Sequence, residues 1–416
     1  MPAAVKRYWL RCTADGALSL GARRSARAGS VGASLEYIPG STLRGALAQL
    51  HQRWPERKQR WDLFLAGASF PDLTPAGARA VPLSARTCKY EGGFWIPLPK
   101  HGVYDSVLPL GDEDLVCDRC GAELKGHTGW MEDGYRGVRV AKAITGHTAI
   151  DIHTRTAAAG MLYMEETVAA PGGFAGELTV PESDAAFMEE LLRDAKQAGL
   201  RIGHGVRKGM GWVDLDYGEG PLPGVEGPGA AVERLSGMQE RLHAIRGRER
   251  DAAFSVTLRS RAILLDDHLR YRSTVDLADL EGWAEMPAGF DLTRRFTETE
   301  WVFGWNEAAG LPRSPDLAIR QGAAFLFERK GRPLEQAEIE KMAAGMDAIE
   351  AAGIGERRVE GFGRVVLCDR FHWRGEYERN AGEFTSAGEQ YLLHYTRPVC
   401  PGGGGVGDAV HGRDEP

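Results

Sequence analysis

The chain is poor in several things, and each shortage excludes something. No stretch of its 416 residues approaches the roughly 20 consecutive apolar residues that cross a bilayer, so no membrane-spanning helix is expected. The opening MPAAVKRYWLRC has no apolar segment of the signal-peptide kind, which sets the expectation of a cytoplasmic protein without a membrane partner. Cysteine is scarce, at six residues, and a disulfide framework is not expected in a chain of this length in a reducing compartment. Basic residues are not in excess: 58 acidic against 51 basic leave a net charge of −7, the reverse of a general nucleic-acid footprint. A Walker lysine–serine pair is missing, so a mononucleotide-binding loop is a poor fit.

What is present is the composition of a globular protein, 43% hydrophobic and 26% charged, long enough for two domains with separate cores. The distribution of charge says more than its sum. Basic residues cluster at Arg23, Arg24 and Arg27, at Arg201, Arg207 and Lys208, at Arg259, Arg261, Arg270 and Arg272, and at Arg357, Arg358 and Arg364. Acids concentrate in the helix-like segments 182–195 and 334–350, so a basic track on an acidic body is compatible with the whole.

Residues 5–12 read as an opening strand, and YIPGSTLRGALAQLHQRW places Ser41 or Thr42 as the cap of a helix with Leu43, Ala46, Leu47 and Leu50 on one face. Residues 55–150 read as a long irregular insertion holding three cysteines. GMLYMEETV (160–168) reads as a strand with FAGELTV as its hairpin partner. SDAAFMEELLRDAKQAG predicts an amphipathic helix capped by Ser183, lined by Phe187, Leu191, Leu192 and Ala195, and ended by Gly199. Residues 218–250 read as a linker and connecting helix. In 251–375, AFSVTLRSRAILL and GAAFLFER predict strands, and PLEQAEIEKMAAGMDAIEAAG a helix before the strand GRVVLCDRF. The extension 376–416, ending PVCPGGGGVGDAVHGRDEP, has the composition of a partly disordered tail.

Two loops repeat. RIGHGVRKGMGWV (201–213) and GIGERRVEGFGRV (353–365) superpose Gly203 on Gly355, Gly209 on Gly361, Gly211 on Gly363 and Val213 on Val365. Each follows a helix and enters a strand, and with the glycine-led strands at Gly160 and Gly322 this reads as a tandem duplication. The expected fold is α+β: two ferredoxin-like βαββαβ units, 1–217 and 251–375. Glycine allows positive φ and close backbone approach, and consecutive N–H groups beside Arg or Lys suit phosphate. The competing reading is a tight helix-to-strand connection with no ligand.

Helix followed by G-x5-G-x-G-x-V resembles the signature loop of the RAMP superfamily of CRISPR effector proteins. IPGSTLRGAL (38–47) is similar to the family's helix-opening turn, and TAIDIHTRTAAAGMLYMEETV (148–168) to its polar RNA-facing loop and strand. Two such units with a cysteine-bearing insertion look most like the large two-domain subunit of type III-D effectors. The resemblance implies a structural subunit that binds CRISPR RNA at the guide or 5′ handle, beside other RAMP subunits and a Cas10-type large subunit, and meets target RNA indirectly. Its RNA-contacting positions fall on Ser41, Thr42 and Arg44, on His153 and Arg155, on Gly203, His204, Arg207, Lys208, Gly209 and Gly211, and on Gly355, Arg357, Arg358, Gly361 and Gly363. The second unit departs from the pattern in having no IPGS opening; STVDLADLEGWAE (273–285) stands in that place.

Cys117 and Cys120 form a CxxC, a bite suited to one tetrahedral metal. Cys88 and His101 complete a set, with His127 as the alternative fourth ligand, and structural zinc is the expected ion. A reduced CxxC without metal is the competing reading. Two other functions remain open. A metal-independent ribonuclease would draw on His147, Asp151, His153, Arg155 and His204, with Asp105 or Asp151 serving target cleavage. A two-domain protein holding a small anion would use the duplicated loops as paired sites.

Overall fold

The computed structural model describes residues 5–21, 31–53, 61–94, 100–108, 116–117, 119–132, 136–170, 172–206, 209–225, 227, 229–246, 251–280, 288–306 and 309–373. Arg207, Lys208, the cluster at Arg23, Arg24 and Arg27, Cys400 and the extension 376–416 lie outside the described residues. Among the described residues no helix is long and apolar enough to cross a membrane.

The main elements are β1 (Val5–Ala14), α1 (Gly40–His51), β2 (Ala141–Ile150), β3 (Ala157–Ala169), β4 (Phe174–Pro181), α2 (Ala185–Ala198), β5 (Trp212–Glu219), α3 (Ala231–Arg246), β6 (Ala252–Leu258), β7 (Asp291–Phe296), β8 (Ala324–Arg329), α4 (Gln336–Ala352) and β9 (Val365–Leu367). Of the two largest sheets among the described residues, one runs from Leu200–Arg201 through β5, β1 and β4 to Thr74–Pro75, and the second is ordered β7-β8-β6-β9; neighbours in both are antiparallel.

Each sheet follows from its burial pattern. In β1, Tyr8, Leu10 and Cys12 are buried while Arg7, Trp9 and Arg11 are not, the period-two alternation of a sheet packed on one face. That face meets Leu43, Leu47 and Leu50 of α1 and Met188, Leu191, Leu192 and Ala195 of α2 in a single core. The second sheet is covered on both faces, so every residue of β6 and β8 is buried and the alternation disappears. Met238 and Leu242 of α3 and Met342 and Met346 of α4 belong to its core, and so do Val107 and Leu108 from the insertion.

The halves correspond in register. Cys12 of β1 lies opposite Phe174 of β4 and Leu215 of β5, as Val256 of β6 lies opposite Phe325 of β8 and Leu367 of β9. The correspondence corrects two expectations. The strand before α2 is β4, which pairs with β1; it is not the hairpin partner of 160–168. Gly160 therefore falls inside β3, and Gly322 has no partner there. The true partner of β3 is β2, which forms with it a long ribbon whose outer part is exposed on both faces. Residues 141–150, expected to be irregular, are thus a full strand. The rest of the insertion holds short strands as well, among them Ala85–Cys88, Val103–Asp105 and Leu124–Gly126.

The capping assignments also change. Neither Ser41 nor Thr42 caps α1, whose N-cap is Pro39; the Gly40 N–H is instead met by the Asp72 carboxylate at 2.7 Å. Burial raises the Asp72 carboxyl above its usual range, against the pull of Arg261 and the Gly40 N–H. Ser183 lies in a 3₁₀ turn, and Asp184 is the N-cap of α2. In the second half, the described part of the segment that stands in for the first helix, 273–280, holds a 3₁₀ turn, Leu277–Asp279, with a capping box between Asp276 and Asp279.

Candidate nucleic-acid interface and metal centre

The two glycine loops share one hydrogen-bond frame. In the first, the Ile202 N–H donates to the Gly211 carbonyl (2.8 Å), His204 N–H to Ser19 (2.8 Å) and Gly211 N–H to Ala17 (3.4 Å). In the second, Ile354 N–H donates to Gly363 (2.9 Å), Glu356 N–H to Ile263 (2.9 Å) and Gly363 N–H to Arg261 (2.7 Å). Glycine is needed at four of the positions for the same two reasons. Gly203, Gly211, Gly355 and Gly363 all have positive φ, and a Cβ on them would collide with the carbonyls of Ser19, Ile202, Ile263 and Ile354. These glycines bring the loop onto the segment after the first strand of each half. Gly209 differs: its φ is positive, yet nothing lies within 4 Å of where its Cβ would be, so its open side faces solvent.

The second loop also joins the halves. Phe70 N–H donates to the Val359 carbonyl (2.9 Å), Ser69 Oγ to the Arg358 carbonyl (3.1 Å), and the Arg364 guanidinium to Ser69 (3.3 Å). Gly361 permits this approach, since a Cβ there would lie 2.5 Å from the Phe70 carbonyl. Beside it, Glu360 is buried, accepts from the guanidinium groups of Arg313 (2.9 Å) and Arg357, and forms an ion pair with Arg44 of α1 (3.1 Å). Arg357 also pairs with Asp316 at 2.6 Å and takes a left-handed backbone conformation, φ 56°. Burial would raise the Glu360 carboxyl, but the hydrogen bond and charge of Arg357, with Arg313 and Arg44, hold it below the usual carboxylate range.

The predicted residues are therefore distributed unevenly. Arg44 and Arg357, far apart in sequence, meet on one carboxylate; Arg358 is exposed beside them. Ser41 and Thr42 are half-buried in the first turn of α1, whose start abuts the Glu360 carbonyl at Gly40. His204 is exposed, with its imidazole against Gly21. His153 and Arg155 are exposed at the turn of the β2–β3 ribbon. Asp151 accepts from the N–H groups of His153 and Thr154 there (both 2.8 Å), which lowers its carboxyl. His147 sits midway along the ribbon, stacked on Tyr163 and 3.7 Å from the Glu165 carboxylate.

Asp105 is buried. It accepts from Ser84 Oγ (2.5 Å) and pairs with His372 Nδ1 (2.8 Å), whose Nε2 meets Thr257 Oγ (2.8 Å). This Asp–His–Thr chain is enclosed, and it ties the insertion to β6 and to the turn Arg370–Trp373. Sequence reasoning missed His372, Glu360 and Arg313 because their partners come from distant segments.

The cysteine insertion assembles as a site. The ligand atoms of Cys88, His101, Cys117 and Cys120 all lie within 4.8 Å of one another. Cys88 Sγ and Cys120 Sγ are 3.6 Å apart, and Cys117 Sγ is 3.4 Å from His101 Nδ1. Four ligands around one tetrahedral zinc at ordinary bond lengths stand about 3.5–3.8 Å apart, so the residues fit such an ion. Burial raises the Cys88 thiol, but the backbone N–H groups of Glu91 and Tyr90 and the neighbouring Cys120 and Cys117 bring it below the usual value, which favours the thiolate. Tyr104 OH approaches Cys117 Sγ at 3.9 Å, a further donor behind the ligands. The fourth position thus goes to His101. His127 packs edge-on against Phe94, and burial, with Lys125 nearby, lowers its imidazole. Cys12 and Cys368 are buried core thiols, each pushed up to about 12 by burial.

The class of protein so defined is a mixed α/β chain with two main antiparallel sheets and a Cys3His cluster that could hold a metal ion. No family model matches the chain, and no curated protein matches it. Among solved structures, it is similar to a chain of the Type III-B Cmr-beta complex bound to cognate target RNA and AMPPnP, at 11% identity over 77% of this chain and 86% of that one (TM-score 0.38). A Cas6 product complex follows at 10% identity, 88% and 99% coverage and a TM-score of 0.36. A partial Cas6-RT-Cas1–Cas2 complex matches at 8% identity, 88% and 46% coverage and a TM-score of 0.33.

Proposed function

We propose that the chain is a structural, CRISPR-RNA-binding subunit of a type III interference complex, of the III-D kind, built from two tandem ferredoxin-like RAMP units. The observation that carries this reading is the duplicated glycine loop: two copies with one hydrogen-bond frame, the second set against the IPGSTLRGAL helix start. The strand orders agree with it, because β5-β1-β4 and β9-β6-β8 each place the first strand of a unit between its fourth and third. The backbone of the guide or its 5′ handle runs over the loops, taking Arg207 and Lys208 with Gly209 in the first and Arg358 in the second. Ser41, Thr42, His153, Arg155 and His204 supply further phosphate contacts. Other RAMP subunits and a Cas10-type large subunit are the protein partners, and target RNA is met through the guide.

The Cys3His cluster binds structural zinc. Three soft thiolate donors and one imidazole are the chemistry zinc prefers, and such a site supplies folding energy to an insertion with little core of its own.

The test is purification of the protein with its natural partners. An RNA of defined length should accompany it, and binding should fall steeply with salt as phosphate contacts release counterions. Arg207→Ala with Lys208→Ala should weaken that binding while leaving the fold intact. A preparation free of RNA and of other RAMP subunits ends the reading.

A further inference from the structure

One thiol of the cysteine cluster is unlike the other two. Cys88 ends the strand Ala85–Cys88 and is buried, with its backbone paired to Leu124. Cys117 is 1% exposed, and its Sγ faces His101 Nδ1 at 3.4 Å and the Tyr104 hydroxyl at 3.9 Å. Cys120 is only half-buried, and it stands between exposed Arg119 and exposed Gly121 at the tip of a turn. The turn is closed behind it, where Gly121 N–H donates to the Cys117 carbonyl (2.7 Å) and Cys117 N–H to that of Ala122 (2.8 Å). Nothing lies within 4 Å of where a Cβ on Gly121 would be, so the tip has open space beside it.

We propose that Cys120 is an oxidative modification site, attacked by peroxide and resolved by Cys88 as a disulfide. The inference rests on the zinc reading above and names what that reading leaves out: thiolates that suit a soft ion are also nucleophiles. Access selects Cys120, because an oxidant from solvent meets the surface thiol before the two enclosed ones. Distance selects its partner. Cys88 Sγ stands 3.6 Å from Cys120 Sγ, and a disulfide needs about 2.05 Å. About 1.5 Å remains to be closed, and the turn tip can move while Cys88 stays pinned in its strand. Cys117 already has His101 and Tyr104 as neighbours.

The step balances with hydrogen peroxide as the oxidant. Cys120 Sγ attacks one peroxide oxygen: an S–O bond forms, the O–O bond breaks, and the leaving hydroxide takes a proton to become water. Cys88 Sγ then attacks Cys120 Sγ. The S–S bond forms, the S–O bond breaks, and a second hydroxide leaves as water with a second proton. Two electrons pass from the thiolates to the peroxide. Cys117 and His101 are left as donors, too few for a closed tetrahedral site, so the ion departs and the insertion loses the folding energy it supplies.

The experiment treats the full chain with hydrogen peroxide and follows zinc with a chromogenic chelator and disulfides by peptide mapping. Wild type should release about one zinc per chain, carry a Cys88–Cys120 disulfide, and regain the ion when a dithiol reductant and zinc are added. A cyclic 1,3-diketone present from the start should trap the sulfenic acid on Cys120. Cys120→His keeps a fourth ligand that zinc accepts, and it should hold its zinc before and after peroxide. Zinc kept by peroxide-treated wild type overturns the modification site and leaves the zinc reading standing. So does first trapping at Cys88 or Cys117, or a disulfide between Cys117 and Cys120, whether or not the histidine variant folds. Loss of zinc from Cys120→His as fast as from wild type overturns Cys120 as the attacked thiol. Wild type that carries no zinc before treatment overturns the zinc reading, and the site with it.

Discussion

Replacing Glu360 with glutamine should move stability and RNA affinity in opposite directions. Glu360 is 5% exposed and is shared by Arg44, Arg313 and Arg357, whose side chains are 23%, 36% and 18% exposed. Neutralising one partner of a fully buried pair costs about 3–5 kcal/mol, because the other charge is left unpaired. Here the arginines reach water in part, so the cost is discounted to about 2–3 kcal/mol. Asp316 still serves Arg357 but cannot reach across to serve all three. In urea the midpoint should fall by about 1 M, in the transition that reports the joint between the halves. RNA affinity should rise several-fold if Arg44 and Arg357 serve phosphate, since their carboxylate competitor is gone. The reasoning fails if Glu360→Gln leaves the midpoint where it was, or if Arg44→Met costs no less stability in the Glu360→Gln background than in wild type.

Further outcomes are expected from the same geometry. The Glu360 carboxyl is depressed in the folded state, so its contribution is complete above the unfolded value of about 4.3 and is lost as pH falls through the lower folded value. Acid unfolding should steepen below about pH 4, and Glu360→Gln should flatten that limb in a circular-dichroism titration. Gly209→Ala should cost only the left-handed backbone term, about 1–2 kcal/mol, whereas Gly363→Ala also collides with the Ile354 carbonyl and should cost clearly more; equal losses by denaturation would contradict the packing argument. Elemental analysis should find about one zinc per chain, and Cys117→Ser should lose it together with several degrees of melting temperature. Asp105→Asn should lower stability by about 1–3 kcal/mol through the Ser84 and His372 bonds while leaving zinc content unchanged; a fall in metal content would mean that the two networks are not separate.

Legibility in the sequence followed how local each signal was. The helices α2 and α4 were readable from apolar spacing and their terminal glycines, and β1 from its alternation. The candidate ligands Cys88, Cys117 and Cys120 were readable because thiols are few, but only the folded chain places His101 among them and His127 against Phe94. The hairpin partner of β3 was misassigned because a pairing is a property of two segments. β2 mixes Ala and Ile with Lys, Thr and His, and nothing within it announces that it forms one arm of a projecting ribbon.

The amino-acid sequence alone determined the repeated glycine loop, because positive φ and missing side chains are properties of glycine wherever it sits, and it singled out the three thiols of the cysteine cluster, leaving the fourth position open between His101 and His127. The tertiary structure decided which charges are spent internally. Arg44, Arg313 and Arg357 are ordinary basic residues in the sequence and become one cluster only when α1 and the second loop close on Glu360. Asp105 reads as a candidate acid in the sequence, and only the fold pairs it with Ser84 and His372 in the interior. A charge acquires its role from its distance to other charges and to water, and those distances are set by segments that the chain brings together only on folding.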